Sequence, residues 1–210
     1  MLTSYFTGLS LMATLIIPIG VQNAFVLNQG IRKQHHLIVA GFCSISDALF
    51  MGFGVWGGAQ LFAAYSWLLT TISLLGATFM LVYGWQCLRR VKQGNSGFVQ
   101  TKNVTSLKVT ILTCCAFTYL NPHADIDTIV ILGGFAANLD SAAKPSFFAG
   151  GVSASFIWFF SLALLGQRLS AILSKPIAQR IIDTVIGIMM WGLALYLINF
   201  ILPEGTFPFR

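Results

Sequence analysis

No charged side chain occurs before Arg32. A chain that runs 31 residues without Asp, Glu, Lys or Arg cannot cover a water-facing surface there. The stretch also lacks the basic start of a signal peptide, and it exceeds the roughly 7–15 apolar residues of one. The expectation is a retained membrane helix that also serves as the targeting signal.

The shortage of charge persists downstream. Only 9% of the 210 residues are charged and 56% are hydrophobic, with mean hydropathy +0.80. A soluble domain carries about 25% charged residues, so a soluble fold is excluded. The net charge of +6 belongs to short loops rather than to a nucleic-acid-binding face. Cys43, Cys87, Cys114 and Cys115 sit in or beside apolar segments with no C-x-x-C spacing, which reads as reduced packing residues.

A bilayer core takes about 20 apolar residues per helix. Six segments meet that length: about 5–27, 37–57, 67–88, 108–135, 145–166 and 181–202. The expected fold is an all-α membrane protein of about six transmembrane helices. Ten of the twelve basic residues fall in the loops after the first, third and fifth segments, which places those loops in the cytoplasm. The polar stretch 93–107 divides the chain into halves of three helices, 1–92 and 108–210. Three is odd, so the second half sits inverted relative to the first.

Internal similarity fits that inversion. Pro18 and Pro122 each interrupt an apolar segment near its middle, so the first and fourth helices are expected to be interrupted. Ser46-Asp47 in the second segment falls near the position of Ser153-Ala154 in the fifth. Paired Pro- or Gly-interrupted spans in corresponding positions point to a transporter binding site.

The residues that carry chemistry cluster at those positions. Asp47 lies near mid-membrane, where a carboxylate costs about 2.5–3.5 kcal/mol and needs a partner or a role. Asn121-Pro122-His123-Ala124-Asp125-Ile126-Asp127 reads as a helix that stops and restarts, with Asn as cap and Pro at the first position. The restarted end offers N–H groups and partial positive charge to a carboxylate. His123 and Asp127, four apart, share a face, and Asp125 points elsewhere as an additional acidic candidate. In the first helix Pro18 and Gly20 loosen the backbone, and Gln22 and Asn23 follow as amide donors and acceptors. Unwound backbone at this depth faces protein or a water-filled cavity. Asp47, Gln22 and Asn23 also have a plainer reading as interhelical hydrogen bonds, His123 as a local cap or pair, and Asp125 as a residue at a watery edge. One histidine with no paired Cys or Glu does not make a metal site, and no cofactor is expected. Ser46 and Asp47 are adjacent and point about 100° apart on a helix, which is not the geometry of an intramembrane hydrolase. No G-x-x-x-x-G-K-[ST] loop occurs, so ATP-driven transport is not expected.

Several motifs together resemble one family. The run from Ile17 through Pro18-Ile19-Gly20-Val21-Gln22-Asn23 to Arg32 resembles the first-helix motif of the LysE family of basic amino acid exporters. Cys43-Ser44-Ile45-Ser46-Asp47-Ala48 is similar to the second-helix motif. Phe117 to His123 with Asp127-Thr128 resembles the fourth, Ser153 to Phe160 the fifth, and Ala178 to Ile182 the start of the sixth. The chain departs at Val21, where the family has Pro, and at Ala124-Asp125, where it has an aliphatic-aromatic pair. The resemblance spans nearly the whole chain.

It implies a multi-pass protein of a bacterial inner membrane that exports L-arginine, with L-lysine or analogues as further substrates. On this reading Asp47 and Asp127 face the cationic groups, and the broken ends near Pro18, Gly20, Asn121 and Pro122 hold the substrate carboxylate. Two carboxylates close together in low dielectric titrate as a pair, a device for proton coupling. The expected partners are a basic amino acid, protons as coupling ion and membrane lipid; nucleic acid is excluded, and a homo-oligomer is compatible with the sequence. The alternatives are an exporter of neutral amino acids and, less well supported, of an inorganic cation.

Overall fold

The computed structural model describes residues 1–18, 20–57, 66–93, 106–120 and 122–201. The described residues form helices and turns, with no strand among them. In order they are α1 (Leu2–Ile16), α2 (Val21–Arg32), α3 (His36–Val55), α4 (Ser66–Lys92) and α5 (Leu107–Tyr119). There follow α6 (Pro122–Ala137), α7 (Lys144–Arg168), the short α8 (Ser170–Leu173) and α9 (Pro176–Ile201).

Both expected interruptions are present. The segment read as one helix over 5–27 is two helices, α1 and α2, set 84° apart. Pro18 has no N–H to continue a helical ladder, and Gly20 is extended at the start of α2, with φ −103° and ψ 177°. The segment over 108–135 is likewise split, into α5 and α6. Ser106 caps α5 by accepting from the Val109 N–H at 3.3 Å.

Among the described residues three helices are long and apolar enough to cross a bilayer alone: α3, α7 and α9. The bent pair α1 and α2 passes the same test as a unit, and α5 and the part of α6 from Thr128 to Ala137 are shorter apolar helices. Among the described residues the first and fourth expected segments are thus each a pair of shorter helices, as the interruptions require. The last helix begins at Pro176, five residues before the expected 181, because Pro suits a first helical turn.

The exterior is apolar. Leu49, Ile157 and Ile188 are each more than 60% exposed. In water such a surface would aggregate, and in lipid it is the solvent-matched face. Inside are two apolar clusters. One joins Val26, Cys43, Cys114, Phe117, Phe159 and Met190; the other joins Met12, Met51, Leu132 and Phe147.

Close backbone approach occurs where glycines meet. A Cβ on Gly30 would strike the Ala163 carbonyl, and one on Gly166 the Leu27 carbonyl, so α2 and α7 touch backbone to backbone. A Cβ on Gly54 would strike Ile129, and one on Gly133 would strike Gly54, so α3 and α6 do the same. Small residues permit such contacts and let dispersion act where lipid removes any hydrophobic drive. At one end of the bundle His36 Nε2 lies 3.0 Å from Gln167 Oε1, and Arg90 pairs with Asp183 at 3.1 Å. These contacts gather the basic stretches after α2, α4 and α7 at that end.

Candidate functional site

The first break is held by its own side chain. Asn23, 7% exposed, donates from Nδ2 to the Ile16 carbonyl at 2.7 Å and to the Pro18 carbonyl at 2.9 Å. These are carbonyls that lose their helical partners when the backbone turns. Trp158 Nε1, from α7, donates to Asn23 Oδ1 at 3.2 Å. Asn23 is thereby fully engaged and ties the bend to α7. The start of α2 has no side-chain cap.

Gln22, one residue earlier, reaches the other way. Its Nε2 donates to Thr118 Oγ1 of α5 at 3.2 Å. Thr118 and Tyr119 end α5, immediately before the second break. Ser46 Oγ of α3 lies 2.9 Å from the Tyr119 hydroxyl, and Phe42 and Phe50 pack rings against Tyr119. Two residues that the sequence marks as polar candidates therefore meet the last turn of α5.

Asp47 lies near the middle of the 20-residue α3 and is only 9% exposed. Ser155 Oγ of α7 donates to Asp47 Oδ2 at 2.6 Å, a short charge-assisted bond. Ser44 Oγ, one turn earlier, donates to the Ala40 carbonyl at 2.9 Å and lies 3.4 Å from the Ser155 carbonyl. The plainer reading of Asp47, a bond to a serine of a neighbouring helix, is thus part of its environment. A single hydroxyl leaves a buried carboxylate with further accepting capacity.

Asp47, Ser46, Gln22 and Asn23 come together with Thr118, Tyr119, Ser155 and Trp158, so four helices meet where both breaks approach. Pro18 and Gly20 stand at the first break. Asn121 lies outside the described residues, as do the side chains of His123, Asp125 and Asp127; for these only the helix α6 beginning at Pro122 is described. The four cysteines are free thiols, and Cys43 Sγ lies 3.4 Å from Cys114 Sγ between α3 and α5.

Sequence reasoning missed Ser155 and Trp158 as partners, although both fall in the fifth-helix motif. It also passed over the buried pair of Arg90 with Asp183, where Nη2 and Nε lie 3.1 and 3.5 Å from the carboxylate. The signal was available: Asp183 is one of only six acidic residues and sits in a mostly apolar helix.

Long apolar helices, an apolar exterior and a polar centre built where two helices break define a multi-pass membrane protein. The chain belongs to the LysE type translocator family, whose sequence pattern matches residues 13–199. It is 42% identical over 198 residues to the Arginine exporter protein ArgO of Escherichia coli (strain K12), with 94% of each chain covered. The same identity and coverage relate it to the Arginine exporter protein ArgO of Enterobacter sp. (strain 638). The protein of that name from Klebsiella pneumoniae (strain 342) is 43% identical over 204 residues. No solved structure is significantly similar to the chain.

Proposed function

We propose that this protein is a secondary exporter of L-arginine, with L-lysine or analogues as further substrates, in a bacterial inner membrane. The observation that carries this reading is Asp47: a carboxylate in the middle of a membrane helix, at the meeting of two helix breaks, with one serine donor among the described residues. A negative charge there recognises a donor-rich cation and excludes anions. The names of relatives at about 42% identity point the same way.

The substrate sits among α2, α3, α5 and α6. Asp47 and Asp127 face its cationic groups. The starts of α2 and α6, with Asn121 and His123 beside the second, hold its carboxylate. Gln22 and Ser46 supply further polar contacts, and Asp125 adds acidic character at the edge. The halves 1–92 and 108–210 act as inverted repeats joined by 93–107, and they rock about the site to alternate access. The paired glycine contacts of α2 with α7 and of α3 with α6 support that symmetry.

Exchange for protons supplies the energy. Moving one cation outward against a 100 mV inside-negative potential costs about 2.3 kcal/mol, and an incoming proton cancels that term. The test is labelled arginine flux in proteoliposomes with an imposed pH gradient. Flux that follows the gradient supports antiport, and indifference to it removes proton coupling. If leucine or threonine competes as well as lysine or canavanine, the substrate is neutral instead.

A further inference from the structure

The helix α2 carries a stripe of side chains at helical spacing: Gln22, Phe25, Gln29 and Arg32. The first two face α5. Gln22 bonds Thr118, and the Phe25 ring lies 5.1 Å from that of Phe117. The direction of α5 follows from α3: Cys43 meets Cys114 and Ser46 meets Tyr119, so α3 and α5 run parallel. The chain reverses between α2 and α3, at Lys33 to His35, so α2 runs antiparallel to α5.

Along the two helix axes, that geometry carries Gln29 and Thr110 to a similar depth. Gln29 lies about 10 Å along α2 from Gln22, and Thr110 about 12 Å along α5 from Thr118, both toward the basic end. Gln29 is 4% exposed and Thr110 is 1% exposed. Gln29 Oε1 and Thr110 Oγ1 find no hydrogen-bond partner among the described residues, and neither does the neighbouring Asn28 Oδ1. Buried oxygens without partners are costly and call for an occupant. Oxygen acceptors suit a group that only donates, such as a guanidinium or an ammonium.

Between this level and that of Asp47 stand four rings. Phe117 touches Phe25, Phe79 at 5.2 Å and Tyr83 at 4.9 Å, and Phe25 and Phe117 are almost fully buried. From the basic end inward the order is Arg32, then Gln29 and Thr110, then the rings, then Gln22 and Asp47.

We propose that Gln29 and Thr110 form a second cation-binding station on the cytoplasmic side of the transport site, and that the ring cluster centred on Phe117 is the gate between the two. The station takes the guanidinium or ammonium head of the exported amino acid before the rings part. It rests on the export reading above.

Inside-out vesicles present the cytoplasmic face, and uptake of labelled arginine into them reads the station. Gln29→Leu and Thr110→Val each raise the half-saturating arginine concentration about tenfold at a maximal rate near that of the unaltered protein. Gln29→Glu lowers it, a gain that damage to folding does not produce. Phe117→Ala raises arginine leakage several-fold in vesicles without any gradient. An unchanged half-saturation in Thr110→Val together with no gain in Gln29→Glu overturns the station, and so does a loss confined to maximal rate. Unchanged leakage in Phe117→Ala overturns the gate. If the unaltered protein takes up no arginine, the export reading falls instead.

Discussion

The α4–α9 pair and the centre around Asp47 are both polar in places, yet they are held in opposite ways. In the pair, two helices cross with backbones in contact: a Cβ on Gly84 would meet Trp191 and the Gly187 carbonyl. Trp191 Nε1 donates to the Leu81 carbonyl at 3.2 Å, and its ring stacks on Trp85 at 6.5 Å. Arg90 and the 1%-exposed Asp183 then close the basic end with two contacts. The centre, by contrast, relies on single bonds from hydroxyls and amides, one per residue pair, across four helices. Apart from the bond from Ser155 to Asp47, these are neutral bonds that contribute about 1 kcal/mol each and can be exchanged for bonds to a ligand. The pair therefore acts as scaffold, and the centre is the part that can rearrange.

The sharpest way to break this contrast is at the scaffold. Arg90→Ala leaves Asp183 buried without its guanidinium and lowers stability by about 3 kcal/mol or more. Thermal unfolding in detergent should show the loss, and the double change R90M/D183L should recover most of it. A variant that unfolds normally but binds arginine poorly would place Arg90 in the transport centre instead. Next comes the centre itself. Asp47→Asn removes the charge but keeps the shape, and should slow arginine export about 100-fold with unfolding nearly unchanged, a loss of about 2.7 kcal/mol in transition-state terms. Retained export would assign substrate recognition elsewhere.

Smaller effects sharpen the comparison. Ser155→Ala removes the donor to Asp47 and should reduce export about tenfold, as expected for a hydrogen bond to a charged group. Trp158→Phe keeps one aromatic ring but loses the bond to Asn23 and the other ring of the indole, so a two- to fourfold loss of initial rate is expected. Both are read as initial rates at equal protein amounts in the membrane. A larger effect from Trp158→Phe than from Ser155→Ala would make the bend, not the carboxylate, the sensitive part.

Much of this arrangement was legible before any coordinates. Pro18-Ile19-Gly20 and Asn121-Pro122 announced the two breaks because Pro removes a donor and Gly removes a constraint, both local effects. The 84° turn between α1 and α2 was not legible. Its size depends on where the two pieces dock, α1 through Gly8 and α2 through Gly30, on separate stretches of α7. Asp47 stood out because a lone carboxylate in an apolar helix is expensive. Its donor did not, because Ser155 lies 108 residues away and looks like any serine in a membrane helix. Asp183 escaped notice for a similar reason: its partner Arg90 was already accounted for as a loop charge that sets orientation.

One consequence of Asn23 concerns sodium. In a bent membrane helix the carbonyls set loose at the corner are natural ligands for a small cation. Here two of them, the carbonyls of Ile16 and Pro18, are taken by the Asn23 amide. The Asn23 side chain braces the corner from within the chain, and arginine is expected to move equally well in sodium and in choline media.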